Sequence, residues 1–141
     1  MGYCFAPENL MTEFRKVHQF IVFTSNTPIQ YALADYIKEC DDYNDLSDFY
    51  QKKRDFFLKQ LKGSKFKFVP ASGSYFQLLN YSAITNEKDT VFAVRMTKEN
   101  GVASIPTSVF YHKPIDNKLL RFCFAKTDDM LKKATEQLCK I

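Results

Sequence analysis

Apolar residues recur along this chain first at helical spacing, then in alternation, then at helical spacing again. Leu10, Phe14, Val17 and Ile21 define one helical face, and Pro7 with Glu8 suits the first turn of that helix. Ahead of it, Gly2-Tyr3-Cys4-Phe5 is a short apolar run that reads as a strand. After a break at Thr24-Ser25-Asn26, Thr27 and Pro28 suit an N-cap and first helical residue. Ile29, Leu33, Tyr36 and Ile37 carry the next apolar stripe. The acidic stretch Asp41-Asp42-Tyr43-Asn44-Asp45 reads as a connection. The longest helix is expected over about 46–61. Leu46, Tyr50, Phe57 and Leu61 share its buried side, Lys52, Arg54, Lys59 and Lys62 mostly face water, and Gly63 ends it.

The period then changes. Phe66 and Phe68 alternate with Lys65 and Lys67, and Ser72-Gly73-Ser74 turns into a second run over 75–80, which predicts a hairpin. Asp89 can cap a helix that Gly101 terminates. Two more apolar runs, 102–105 and 119–124, read as strands joined by a loop built from Pro106, Thr107, Ser108, Pro114, Asp116 and Asn117. In the second run, alternation puts Leu120, Phe122 and Phe124 on one face, and Leu119, Arg121 and Cys123 on the other. Thr127 caps a last helix with Asp128 and Asp129 in its first turn, Leu131, Ala134 and Leu138 on its apolar face, and Lys140 near its carbonyl end. The strands from Phe66 onward predict a small mixed or antiparallel sheet with helices on one side, an α+β layer. The first strand has no evident partner, although its backbone groups need one.

Composition narrows the function classes. The chain has 141 residues, 14 of them Phe and 8 Tyr, enough for one ordinary core but not for two large domains. A net charge of +4 with scattered lysines offers no basic run for nucleic acid. Cys4, Cys40, Cys123 and Cys139 lie far apart and, with only His18 and His112 besides, give no zinc spacing. Reduced thiols in a cytoplasmic protein are the expectation. No signal peptide and no bilayer-length apolar run is visible. His18 reads as structural, His112 as exposed, and Tyr75 and Phe110 as core aromatics.

Arg121 is the candidate for chemistry. Its guanidinium stays charged, so a position in the middle of an apolar strand calls for an anion. That anion can be a neighbouring Asp or Glu, or a ligand carboxylate gripped by two parallel hydrogen bonds. The side chain can also snorkel to water.

Gly-Val-Ala-Ser-Ile-Pro-x-Ser-x-Phe at 101–110 and Leu-Arg-Phe-Cys-Phe-Ala-Lys at 120–126 resemble the C-terminal end of fold-type-I pyridoxal-phosphate aminotransferases, nearest the methionine, kynurenine and glutamine transaminase group. The resemblance extends through Gly-Tyr-Cys-Phe-Ala-Pro at 2–7, residues 18–30 and residues 72–78. It implies the end of the large domain at 1–45 and the small C-terminal domain at 46–141. Arg121 matches the arginine that grips the substrate α-carboxylate, and Phe23-Thr24 the stretch that reaches the neighbouring subunit's site in a homodimer. The Schiff-base lysine and a phosphate-binding residue would fall ahead of Gly2, and no lysine here follows the Ser-x-x-Lys pattern. The resemblance therefore implies no catalytic residue in the chain, no pyridoxal phosphate held by it alone, and no activity of the chain by itself. The whole enzyme would move an amino group from methionine or another large neutral or aromatic amino acid to a 2-oxo acid. The alternative is a non-catalytic module of the same fold that binds a carboxylate or a partner protein.

Overall fold

Helix α1 (Glu8–Ile21) starts directly after Pro7, whose carbonyl accepts from Met11 N at 2.9 Å. In the computed structural model, which describes residues 1–113 and 115–141, the chain divides into two units, 1–45 and 46–141. The turn role read for Pro114 lies outside the described residues, as do the side chains of Asp42 and Tyr43.

The first unit holds α1, α2 (Thr27–Glu39) and a 3-10 turn, Asp42–Asp45, where an open connection was expected. The strand expected over 2–5 is not formed: this unit holds no sheet to bond its backbone, and Tyr3 and Phe5 are each 89% exposed. Leu10, Phe14, Val17 and Ile21 share a face of α1 as read, yet all four are exposed, and neither helix has a buried residue. A helical pattern fixes which face is apolar, but burial needs a second surface to receive it. The α2 cap is Asn26, one residue earlier than expected, with its side-chain oxygen accepting from Ile29 N at 3.2 Å. Pro28 in the first turn has no N–H to offer, so Ile29 supplies the donor.

The second unit carries the core. Its order is α3 (Leu46–Gln60), β1 (Phe76–Asn80), α4 (Asp89–Asn100), β2 (Ile105–Pro106), a 3-10 turn at Ser108–Phe110, β3 (Leu119–Cys123) and α5 (Asp128–Leu138). The three strands form an antiparallel sheet in the order β1-β3-β2. Leu120, Phe122 and Phe124 all point into the core, as alternation required. Phe57 of α3 meets Phe122 at 6.4 Å between ring centroids, and Phe92 of α4 meets Tyr81 at 4.7 Å. Leu131 and Leu138 complete the cluster from α5. Each such side chain contributes roughly 1.5–3 kcal/mol by leaving water. The opposite sheet face stays open, with Leu78 and Ile105 exposed.

Several local expectations shift for identifiable reasons. The hairpin shrinks to one bridge, Lys67 to Asn80, because Pro70 cannot donate to a ladder and the fully buried Gln77 takes over. Its amide accepts from Ala71 N at 3.0 Å and donates to Val69 O at 2.8 Å. Strand β2 is only two residues long, since Pro106 has no N–H to continue the pairing. Arg54 does not simply face water: it is half-buried, donates to Ala71 O at 2.8 Å and pairs with Asp55. Leu46 is exposed, whereas Phe57 and Leu61 are buried as read. Gly101 ends α4 with φ +70, and Thr127 caps α5, accepting from Met130 N at 3.4 Å. Asp89 lies inside α4 rather than capping it; Lys88 precedes the helix.

Candidate functional site

Arg121 sits at the centre of β3, opposite Leu78 of β1 and Ile105 of β2, on the sheet face turned away from the buried Leu120 and Phe122. The alternation that buries Leu120 and Phe122 puts it there. Its guanidinium carbon lies 4.2 Å from the ring centroid of Phe76 and 4.9 Å from that of Phe110. The cation therefore lies against two aromatic rings, contacts that its planar form suits. Behind Phe76 the rings continue through Tyr75 at 4.5 Å to Tyr50 at 5.9 Å.

Two buried side-chain polar atoms among the described residues lack a partner, Ser104 Oγ and Arg121 Nε. No ion pair among the described residues involves Arg121. The other half-buried arginines are neutralised: Arg54 by Asp55, and Arg95 by Glu87 and Glu99. Of the alternatives left open by the sequence, an internal carboxylate for Arg121 is thus removed among the described residues. A fork that no carboxylate of the unit occupies can receive an anion from outside.

Phe110 and Tyr75 are not core residues; they are 60% and 45% exposed, and Phe110 covers Arg121. Phe76 was not singled out in the sequence. Strand alternation places it on the Arg121 face, but only the β1–β3 register brings it over the guanidinium. Phe110 rides on the short turn after β2, and Asp89 fixes that turn. The Asp89 carboxylate, 1% exposed, accepts from Ser108 N at 2.8 Å and from Ser108 Oγ at 2.7 Å. On the other side Thr107 Oγ1 donates to Leu119 O at 3.2 Å.

A second polar cluster is closed on itself. Tyr81 Oη lies 3.1 Å from Glu87 O and 3.3 Å from Asp116 Oδ1, while Lys118 Nζ donates to Asn86 O, Glu87 O and Asp116 Oδ2. Burial pushes the Tyr81 phenol up, and the Asp116 charge pushes the same way. Burial also opposes ionisation of Asp116, but its bonds to Lys118 outweigh this and hold the carboxyl below its ordinary value. Every charge in this cluster is matched, so it ties loops together and offers nothing to a ligand.

Phe23 and Thr24 lie in the first unit and are both exposed. Phe23 has φ +64, and Thr24 N donates across it to Val22 O at 2.8 Å, a γ-turn of the rare positive-φ kind. Such a conformation is strained for a bulky side chain. His18 is half-buried and stacks on Phe14 at 5.7 Å, while His112 is exposed.

The residues present do not fit pyridoxal phosphate by themselves. Among the described residues only Lys53 and Lys118 are half-buried lysines, and each is paired with a carboxylate, Asp128 at 2.6 Å and Asp116 at 2.7 Å respectively. An imine-forming lysine needs a free amine, and both of these are engaged with carboxylates. No group of His, Cys, Asp and Glu among the described residues could hold a metal ion, and no helix is long and apolar enough to cross a membrane.

Comparison with known proteins adds the following. The profile of the family described as aminotransferase class I and II matches residues 1–138. The methionine aminotransferase of Escherichia coli (strain K12) is 45% identical over 139 residues, covering 98% of this chain and 36% of that protein. The kynurenine–oxoglutarate transaminase of Dictyostelium discoideum is 32% identical over 163 residues, covering 100% of this chain and 38% of that protein. A crystal structure of an Escherichia coli protein assigned a methionine aminotransferase function superposes with TM-score 0.83 at 45% identity, covering 99% of this chain and 37% of that one. The chain thus spans little more than a third of the length of these relatives.

Proposed function

Since the chain belongs to the aminotransferase class I and II family, we propose that it is the C-terminal portion of an enzyme that moves an amino group from an amino acid to a 2-oxo acid. In this reading residues 46–141 are the small domain, residues 1–45 close the large domain, and Arg121 grips the substrate α-carboxylate. One observation carries the last assignment: Arg121 is a half-buried arginine lying against two rings, with no carboxylate paired to it among the described residues.

The family's cofactor, pyridoxal phosphate, supplies the electron sink for the reaction when it is bound. The part of this chain is to bind and orient. A bidentate Arg121 fixes the carboxylate plane and thereby the direction of the α-carbon substituents, and both amino acid and oxo acid present that same carboxylate. The neighbours Leu78, Ile105 and Phe110 are exposed and apolar, which suits a large neutral or aromatic side chain. The names of the methionine and kynurenine relatives point the same way. Phe23 and Thr24 would reach the neighbouring subunit's site in a homodimer; the strained turn at Phe23 fits a position held for function rather than for stability. Four unpaired cysteines suit a cytoplasmic enzyme.

The test is Arg121→Lys in the full-length enzyme. Lysine keeps the charge and loses the fork, so KM for amino acid and oxo acid should both rise, by roughly ten- to a hundredfold for a lost charged hydrogen bond of ~1.5–3 kcal/mol. Unchanged apparent affinity for both would sink the assignment. The chain alone should transaminate nothing, and borohydride reduction with pyridoxal phosphate should label no single lysine stoichiometrically.

A further inference from the structure

We infer that Phe110 is a positioning residue for the Arg121 fork, and that the buried Asp89–Ser108 bond holds Phe110 in place. The inference rests on Arg121 being the carboxylate clamp. An arginine on an open sheet face has several rotamers, and water competes for its faces. Phe76 and Phe110 both lie against the guanidinium, at 4.2 and 4.9 Å from its carbon, and so restrict the directions from which it can meet an anion.

The two rings are held differently. Phe76 lies within β1 and packs on Tyr75, so the sheet itself fixes it. Phe110 lies in a three-residue 3-10 turn and is 60% exposed, so packing alone does not hold its ring. The turn is fixed from below instead. Ser108 gives both its N–H and its hydroxyl to Asp89, and Thr107 bonds the Leu119 carbonyl two residues before Arg121. A carboxylate that is 1% exposed, near no positive side chain paired to it among the described residues, and spent on one serine two residues from Phe110 is more than a helix terminus needs. Its two bonds set where the turn sits, and the turn sets where the ring meets the guanidinium.

The experiment measures binding rather than turnover. The full-length holoenzyme is titrated calorimetrically with γ-methylthiobutyrate, which has a carboxylate but no amine to react, and with its neutral primary amide. The ratio of the two affinities reports the fork. Phe110→Leu should lower the preference for carboxylate about five- to tenfold, the range expected when one aromatic face is removed from a partly desolvated cation. Phe110→Tyr should keep it within about twofold, since the ring face remains. Ser108→Ala should move it in the Leu direction by less. If Phe110→Leu weakens carboxylate and amide equally, or leaves the ratio unchanged while Arg121→Lys collapses it, the inference is overturned and the clamp reading stands. If Arg121→Lys itself leaves the ratio unchanged, the clamp reading fails first.

Discussion

The bond between Asp89 and Ser108 should be a major local support of the second unit, and a double-mutant cycle can measure it. Both residues are buried, and the two contacts are 2.7 and 2.8 Å. Asp89→Ala removes both acceptors and strands two buried donors. At ~1–3 kcal/mol for each orphaned group, the loss should be about 2–5 kcal/mol, with some relief if the serine hydroxyl turns to another acceptor. Asp89→Asn keeps one acceptor for the backbone N–H and should cost only ~1–2 kcal/mol, the difference between a charged and a neutral bond. Ser108→Ala leaves the backbone bond intact and should fall near the Asn value. Because the two side chains share one interaction, the Asp89→Ala, Ser108→Ala pair should be non-additive by about 1–2 kcal/mol. Urea unfolding followed by far-ultraviolet dichroism and tyrosine emission reads these numbers from the midpoints at constant m. The chain has no Trp to mask the tyrosines, and Tyr81 is fully buried in the core. Equal destabilisation by Asp89→Asn and Asp89→Ala, or strict additivity in the cycle, would refute this account of the turn.

Two further outcomes can be checked. Tyr81 is held above the ordinary tyrosine value of 10.0 by burial and by the nearby Asp116 charge, so the folded state favours the neutral phenol. Its contribution to stability is then complete below pH 10 and lost as pH rises beyond it. Ultraviolet titration should show Tyr81 ionising only as the chain unfolds, and Tyr81→Phe should flatten the alkaline loss of stability; reversible ionisation near 10 in the folded chain contradicts this. The exposed stripe of Leu10, Phe14 and Val17 should drive the isolated chain to associate, and serine at all three should abolish this in sedimentation. A well-behaved monomer of the unaltered chain would argue that the stripe is harmless.

The sequence by itself determined the helices, the apolar face of each and the position of the arginine. Periodicity and terminal signals together located α1 to α5 within a few residues, because both are local: Pro7 and Thr127 mark starts, and Gly101 marks an end with positive φ. Alternation in β3 was enough to separate Leu120 and Phe122 from Arg121, since a strand has only two faces. The motifs around Ser108 and Arg121 were enough to indicate the family.

The tertiary structure decided what these patterns meet. An apolar run becomes a strand only with a bonding partner, so residues 2–5 stay irregular and 66–68 form one bridge, with Gln77 satisfying the backbone beside it. An apolar helix face becomes core only against a second surface, so α1 and α2 remain uncovered while α3 and α5 bury Phe57 and Leu131. Asp89 had the spacing of a helix cap and Phe110 the composition of a core residue. Their partners, Ser108 and Arg121, lie 19 residues away in the first case and across the β2–β3 connection in the second. Contacts of that kind are set by how elements pack, and no local pattern encodes them.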